Sequence, residues 1–224
     1  EHDSSSRVRL ESISSVGASR YEGAKKTLIT ILEANSSSAE EKMASIAALV
    51  NITKEVDAPL IKSLTQSDRA ALRLLACQLI FHQFDHKHAQ DLFTLMLDNV
   101  FDVRLAAIEC VAAVSVKPSD ELLQKLLAHP DIKTKILANW LSLIVGYNNE
   151  AAIENLRSFL QLPDRSMRLF TAGAIAHAGK HIAQFSNCLM QHDDILVRMN
   201  LAIASIWQRQ DTTRACGHLL AALK

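Results

Sequence analysis

The chain has 224 residues, of which 24 are basic, 24 are acidic and 49% are hydrophobic. A formal net charge of zero argues against a nucleic-acid binder, because neutralising phosphates requires a basic surface. No run of about eighteen apolar residues is present, so no segment is predicted to insert into a membrane.

A basic residue followed by an apolar one returns about every thirty residues along the chain. The separations lie between 30 and 33 residues, and the series is Arg9, Lys42, Arg73, Arg104, Lys135, Arg168 and Arg198. A fixed period of this length is typical of stacked helical repeats. We therefore divide the sequence into seven repeats of one structural unit.

Each repeat opens with a predicted first helix of about twelve residues. Apolar or small residues recur one, four and eight positions after the basic residue, and these positions share one side of a helix. The column at four positions contains Ile13, Ile46, Cys77, Ile108, Asn139, Ala172 and Ala202. We expect all three columns to be buried, with Asn139 as the polar exception. Trp140 and Trp207 are expected to pack within this layer.

A second helix is predicted in each repeat from two large apolar residues four positions apart. These pairs are Leu28/Leu32, Leu60/Leu64, Leu92/Met96, Leu122/Leu126, Leu156/Leu160, Phe185/Leu189 and Leu219/Leu223. No segment alternates apolar and polar residues with a period of two, so no strand is predicted. The expected fold is all-α, with about seven antiparallel helix pairs in one α-solenoid domain covering residues 1–224.

Aspartates lie beside the turns that join one repeat to the next. They are Asp68, Asp131, Asp164, Asp193 and Asp194. We expect these side chains to cap the following helix and to pair with the basic residues of the repeats. This interpretation makes the basic column a structural feature and not a ligand site.

Two segments resemble HEAT repeats, particularly the short phycobilisome-lyase type: residues 101–108, with the sequence FDVRLAAI, and residues 194–199, with the sequence DILVRM. The resemblance extends over essentially the whole chain, although Lys42 and Lys135 replace the usual arginine. It implies a right-handed superhelix whose second helices line the concave side. Relatives of this type include protein binders, bilin lyases, di-iron lysine hydroxylases and alkylpurine DNA glycosylases, so the resemblance alone leaves the function open.

Catalytic and metal-binding motifs are missing from the sequence. It contains no Gly-rich phosphate loop, no GxSxG and no HExxH. The densest histidine cluster is His82, His86 and His88, where a local metal site is the alternative to solvated turn histidines. The four cysteines include no CxxC pair and are expected to be buried thiols. We therefore predict neither a metal nor a cofactor.

Polar and mostly uncharged side chains flank the apolar marker residue of each second helix. Positions one before and two after the marker are three residues apart, so they form one stripe on the helix. This second-helix stripe is the candidate binding surface, and its residues are Asp91, Thr94, Glu121, Gln124, Asn155, Ser158, Gln184 and Asn187. A purely solvated face is the simpler alternative.

The sequence thus predicts a non-enzymatic scaffold that binds a protein or peptide partner along the second helices. A neutral groove of hydrogen-bonding groups suits an extended peptide or a partner helix better than it suits phosphate. The alternative function is a lyase-type enzyme or enzyme subunit, whose groove would hold a small chromophore or a modified protein. The chain is expected to be a segment of a longer, cytoplasmic protein.

Overall fold

All regular secondary structure in the described part of the chain is helical. The computed structural model describes residues 5–53, 58–83, 86–209 and 212–222. Helices account for 79% of the residues, against about a third in an average soluble protein, and no strand occurs in these ranges. The predicted all-α class is therefore confirmed.

Fourteen α-helices in the described residues alternate between a longer first helix and a shorter second helix. The first helices are α1 Ser6–Ser19, α3 Ala39–Ile52, α5 Ala70–Gln83, α7 Phe101–Val114, α9 Ile132–Val145, α11 Arg165–Ala176 and α13 Ile195–Trp207. The second helices are α2 Lys25–Glu33, α4 Ala58–Thr65, α6 Ala89–Leu95, α8 Asp120–Leu127, α10 Asn149–Phe159, α12 Ser186–Gln191 and α14 Thr212–Ala222. Short 3-10 helices precede α2, α6 and α12, at Glu22–Ala24, His86–His88 and Gly179–Phe185.

The chain divides into two compact units, Glu1–Val116 with α1–α7 and Lys117–Lys224 with α8–α14. In the first unit, α1 packs on α3, α3 on α5 and α5 on α7, while α2, α4 and α6 pack on α3, α5 and α7. In the second unit, α9 packs on α11 and α11 on α13, with α8 and α10 on α9, and α12 and α14 on α13. Consecutive first helices are therefore neighbours within each unit. The superhelix and the single domain over residues 1–224 stay predictions.

The buried side of the first helices only partly matches the predicted columns. The column four positions after the basic residue is buried in all seven repeats. The columns at one and eight positions are mostly half-buried, and Met43 is 58% exposed. The buried side is centred on positions three and seven, such as Ala107 and Val111, so positions one and eight lie at its edge. Gly17 is buried because α1 lies so close to α3 that a Cβ atom would stand 2.8 Å from Ala48 Cα.

The recurring basic residue is the fourth residue of its first helix in all seven repeats. Four of these residues donate Nη1 to the carbonyl six residues earlier: Arg73 to Ser67 at 2.7 Å, Arg104 to Asp98 at 2.7 Å, Arg168 to Leu162 at 2.8 Å and Arg198 to His192 at 2.7 Å. Each bond is charge-assisted and fixes the turn that enters the helix. Within the described residues Lys42 and Lys135 make no such bond.

In four repeats the residue six positions before the recurring basic residue also closes the turn with its own side chain. Ser67 Oγ, Asp98 Oδ1, His129 Nδ1 and His192 Nδ1 accept the backbone N–H two residues later, at 3.1, 2.8, 3.1 and 3.0 Å. Three chemically different side chains thus present an acceptor at the same short reach. The Nε2 of buried His192 also donates to the Leu160 carbonyl at 2.7 Å, so this histidine joins two successive repeats.

Ion pairs link neighbouring repeats within each unit. They join Arg9 to Glu41 at 2.6 Å, Arg73 to Asp98 at 2.6 Å and Arg165 to Asp194 at 2.7 Å. The predicted caps are confirmed for Asp131, Asp164 and Asp194, whose carboxylates accept first-turn N–H groups of α9, α11 and α13. The acidic partners of Arg9 and Arg73 were not among the predicted aspartates.

Candidate functional site

Most of the second-helix stripe is accessible. The side chains of six of its eight residues are exposed: Thr94, Glu121, Gln124, Asn155, Ser158 and Gln184. Asp91 is half-buried. The side chain of Asn187 lies outside the described residues, although its backbone belongs to α12. The stripe therefore presents hydrogen-bonding groups to solvent.

In the first unit the stripe consists of Asp91 and Thr94 on α6. Leu92 and Leu95 of this helix are buried, so Thr94 faces outward from the packed side. Thr94 Oγ1 donates to the Gln90 carbonyl at 3.2 Å and retains its acceptor capacity. Asp91 Oδ2 lies 3.3 Å from Nδ1 of the buried His88. The Asp91 carboxylate is thus held against the first turn of α6.

In the second unit, α8 carries Glu121 and Gln124. The Lys125 ammonium lies 2.7 Å from Glu121 and holds the pKa of that carboxyl below its ordinary value. Gln124 Nε2 donates to the Tyr147 hydroxyl at 3.3 Å. The apolar marker is displaced by one residue from the prediction, because Leu123 is fully buried whereas Leu122 is half-buried. Both stripe residues remain exposed despite this shift.

On α10 the stripe is anchored in the core. Asn155 Nδ2 donates to Asn139 Oδ1 at 3.0 Å, and Asn139 Nδ2 donates to the Lys135 carbonyl at 2.8 Å. This relay explains the polar residue in the buried column of α9, since both groups of the Asn139 amide are paired. Ser158 Oγ donates to the Asn155 carbonyl at 2.7 Å. The exposed Asn155 amide is consequently held in one orientation by a buried partner.

Gln184 differs from the prediction in its local structure. It lies in the 3-10 helix Gly179–Phe185, whereas the sequence pattern predicted one regular helix containing both Gln184 and Asn187. Gly179 has a left-handed backbone with φ of 57°, which tightens the chain at the start of this segment. The Gln184 carbonyl accepts Arg157 Nη2 at 2.6 Å, so this segment is joined to α10. Gln184 and Asn187 therefore do not continue the stripe as two positions of one helix.

A cleft of about 1010 Å³ opens in the first unit between α1, α2 and the start of α3. Its walls combine apolar side chains with hydroxyl groups: Val8, Ile13, Val16, Leu28 and Ile31 with Ser12, Tyr21, Thr27, Thr30, Ser36 and Ser37. Thr27 and Thr30 lie one position before and two positions after the marker Leu28, which are the positions that the stripe residues occupy on later second helices. Their hydroxyl groups are the only polar part of this cleft that the second-helix pattern indicates. The pattern does not predict that α1 and the serines before α3 complete the cleft.

The charged part of the cleft is an internal ion pair. Arg9 Nε donates to Glu41 Oε1 at 2.6 Å, and Glu41 Oε2 accepts the Ser38 backbone N–H at 2.9 Å. The bond from the Ser38 backbone and the Arg9 guanidinium hold the pKa of Glu41 below its ordinary value. The exposed Lys26 also lines the cleft, so the cleft presents hydroxyls, apolar surface and one ammonium group to a ligand.

The two buried thiols of the first unit are suppressed as nucleophiles, whereas Cys216 is exposed. Burial raises the pKa of Cys110 to about 12 and raises that of Cys77 as well, which suppresses their thiolates at neutral pH. In the part of the chain that is described, no three His, Cys, Asp or Glu side chains converge to hold a metal ion. The side chain of His86, which belongs to the histidine cluster, lies outside the described residues.

Comparison with known protein families and with curated proteins found no match for this chain. In the described residues, every helix is too short or too polar to cross a membrane. The class that the structure defines is an all-α protein of paired helices, and its candidate site is a surface of amide and hydroxyl groups.

Proposed function

We propose that the chain is a non-enzymatic, HEAT-like scaffold that binds a peptide or helical segment of a protein partner. The observation that carries this proposal is the exposure of the second-helix stripe. Its accessible groups are mainly amides and hydroxyls, which can donate to and accept from a peptide backbone. Asp91 and Glu121 are its only charged members, and each already faces a basic or imidazole side chain.

The cleft in the first unit supports the same function. Its apolar floor, made by residues such as Ile13 and Leu28, can accept an aliphatic side chain. The hydroxyls of Thr27 and Thr30 can bond the backbone next to that side chain. Binding sites for small peptide segments commonly combine an apolar pocket with a few polar groups that fix orientation.

The anchored amide of Asn155 provides a further argument. Because Asn139 fixes its orientation, Asn155 loses little rotamer freedom when it binds a partner. The relay also predicts that Asn139, which is only 2% exposed, affects binding without touching the partner.

We also place this scaffold in the cytoplasm. All four cysteines are free thiols, and two of them are buried in the first unit. Unpaired cysteines of this kind are typical of a reducing compartment.

A peptide-selection experiment tests the proposed function. The chain is immobilised, peptides are selected from a random library, and the affinity of a selected peptide is measured by titration calorimetry. Changing Thr94, Gln124 and Ser158 to Glu places three charges on the stripe without filling the core. We expect at least a roughly tenfold loss of affinity, because a desolvated and unpaired charge costs several kcal/mol.

The matched control adds the same charge to another exposed surface. Ala47, Gln78 and Ala113 lie on the exposed side of first helices in the first unit, and all three are changed to Glu. This control should keep the parent affinity and melt near the parent temperature. A selected peptide that binds both variants equally well, or a library that yields no binder to the parent chain, would contradict the proposed function.

A further inference from the structure

Helix α13 exposes a line of apolar side chains on one side. Leu196, Ile203 and Trp207 are 39%, 37% and 75% exposed, and Asn200 between them is also exposed. The sequence predicts that Trp207 packs within the first-helix layer, and this prediction is wrong. We call these four residues the α13 seam.

The opposite side of α13 is fully packed. Val197, Leu201, Ala202 and Ala204 are at most 1% exposed, and the helix contacts α11, α12 and α14 through its packed side. The seam therefore does not reflect a poorly folded helix. It is an apolar surface that remains after α13 has taken its place in the second unit.

The same positions of a first helix in the other unit are not apolar. Aligned on the recurring arginine, Leu196, Ile203 and Trp207 correspond to Asp102, Glu109 and Ala113 of α7. All three α7 residues are exposed as well. The repeat therefore tolerates charged or small residues at these positions, and packing within a repeat does not require the large apolar residues of α13.

The spacing of the seam is that of a coiled-coil contact. Its residues are separated by four, three and four positions, which places Leu196 and Ile203 at d and Asn200 and Trp207 at a of a heptad. A single Asn at an a position fixes the register of a pair of helices at some cost in stability. Asn200 Nδ2 donates to the Leu196 carbonyl at 3.1 Å, so its Oδ1 faces away from the helix backbone as an acceptor.

We propose that the α13 seam binds the seam of a second copy of this chain. Two seams aligned in parallel bring their Asn200 amides together, so that each supplies a hydrogen-bond partner for the other. The seam has no charged residue, and the formal net charge of the chain is zero, so two copies meet without electrostatic repulsion. Burial of Trp207 provides the largest apolar contribution, since Trp is the residue most often found at binding hot spots.

The dimer is expected to be weak. Helix α13 has 13 residues and is therefore about 20 Å long. Two helices of this length bury less surface area than a typical stable interface does. We expect a dissociation constant of about 10–100 μM, which is in the range of weak and transient contacts. Association should accordingly be visible as a concentration-dependent equilibrium.

Sedimentation velocity measured over a concentration series tests the proposal. The parent chain should shift from monomer to dimer between about 1 μM and about 1 mM. Ile203→Glu introduces the residue that α7 carries at this position and should weaken dimerisation at least about tenfold, because it buries an unpaired charge. The control is Ile132→Glu, which changes a residue of α9 that is 40% exposed and lies outside the seam. It should leave the equilibrium unchanged.

Tryptophan fluorescence provides a second readout that does not depend on a substitution. The chain has two tryptophans, and Trp140 is buried, so quenching by iodide reports mainly on Trp207. Quenching should decrease as the concentration rises and the dimer forms. A chain that stays monomeric up to about 1 mM, or a dimer that Ile203→Glu leaves intact, overturns the proposal. Either result would show that the seam does not bind a second copy.

Discussion

The turn before α7 and the turn before α13 solve the same structural problem with different residues. Before α7, Asp98 closes the turn and also pairs with Arg73 of the preceding repeat through two bonds, at 2.6 and 2.9 Å. Before α13, the His192 imidazole closes the turn and the pairing carboxylate belongs to Asp194, which binds Arg165. One acidic side chain performs two tasks in the first unit, and two side chains share them in the second.

This difference has a consequence for stability. The Arg73 and Asp98 side chains are only 11% and 7% exposed, whereas Arg165 is 58% exposed. Asp194 is also only 8% exposed, but it lies 3.5 Å from Arg168 as well, so it keeps a second cation when Arg165 is removed. Removing Arg73 leaves the buried Asp98 carboxylate without the arginine that binds it, which costs more free energy. The first unit should therefore be the more sensitive of the two to loss of an inter-repeat ion pair.

The largest effect is expected from Arg73→Ala. The variant removes both bonds to Asp98 and the bond to the Ser67 carbonyl, and it leaves a buried carboxylate without its cation. The free energy of unfolding should decrease by about 3–5 kcal/mol, as measured by urea denaturation. A decrease below about 1 kcal/mol would show that the pair contributes no more than an exposed one does.

A smaller effect is expected from removing Arg104, which bonds the turn carbonyl and lies 5.5 Å from the centre of the Phe101 ring. Arg104→Ala should decrease the free energy of unfolding by about 2 kcal/mol, because the side chain is buried and donates to the Asp98 carbonyl. Arg198→Ala removes the same bond from a half-buried side chain and should cost about 1 kcal/mol. Equal decreases in the free energy of unfolding would show that the turn arginines stabilise the two units to the same extent.

The smallest effect concerns pH. The Arg165 guanidinium, which donates to Asp194, holds the pKa of that carboxyl well below its ordinary value. A lowered carboxyl pKa stabilises the folded state above the ordinary value, about 4, and this stabilisation is lost as the pH falls toward the folded pKa. The stability difference between the parent and Arg165→Ala should thus be larger at about pH 7 than at about pH 3. A difference that does not change with pH would contradict this assignment.

The positions of the repeats could be predicted because each repeat is marked by residues that are close together in the sequence. The basic residue is recognisable in sequence, and it occupies the same helical position in every repeat. The column that contains Ile108 and Ala202 follows from helical periodicity. Periodicity alone cannot place the centre of a buried side, because edge positions such as Met43 also carry apolar residues. For this reason the columns at one and eight positions were assigned wrongly.

The features that could not be predicted arise from contacts between segments distant in sequence. Nothing near Asn139 identifies Asn155 as its partner, sixteen residues away. Similarly, the cleft depends on how α1 lies against α2, which the composition of neither helix specifies. The 3-10 segment that contains Gln184 breaks the regular pattern through one left-handed glycine. His192 both donates to the Leu160 carbonyl and accepts the Asp194 backbone N–H, and Leu160 is 32 residues away in the sequence.

The ion pairs between repeats join residues that are separated by about one repeat length in the sequence. Arg9 and Glu41 are 32 residues apart, Arg73 and Asp98 are 25 apart, and Arg165 and Asp194 are 29 apart. The turn bonds span only six residues. Each unit therefore has a low contact order, and closing its loops costs little entropy. Neighbouring repeats within a unit can therefore associate before the rest of the chain is ordered.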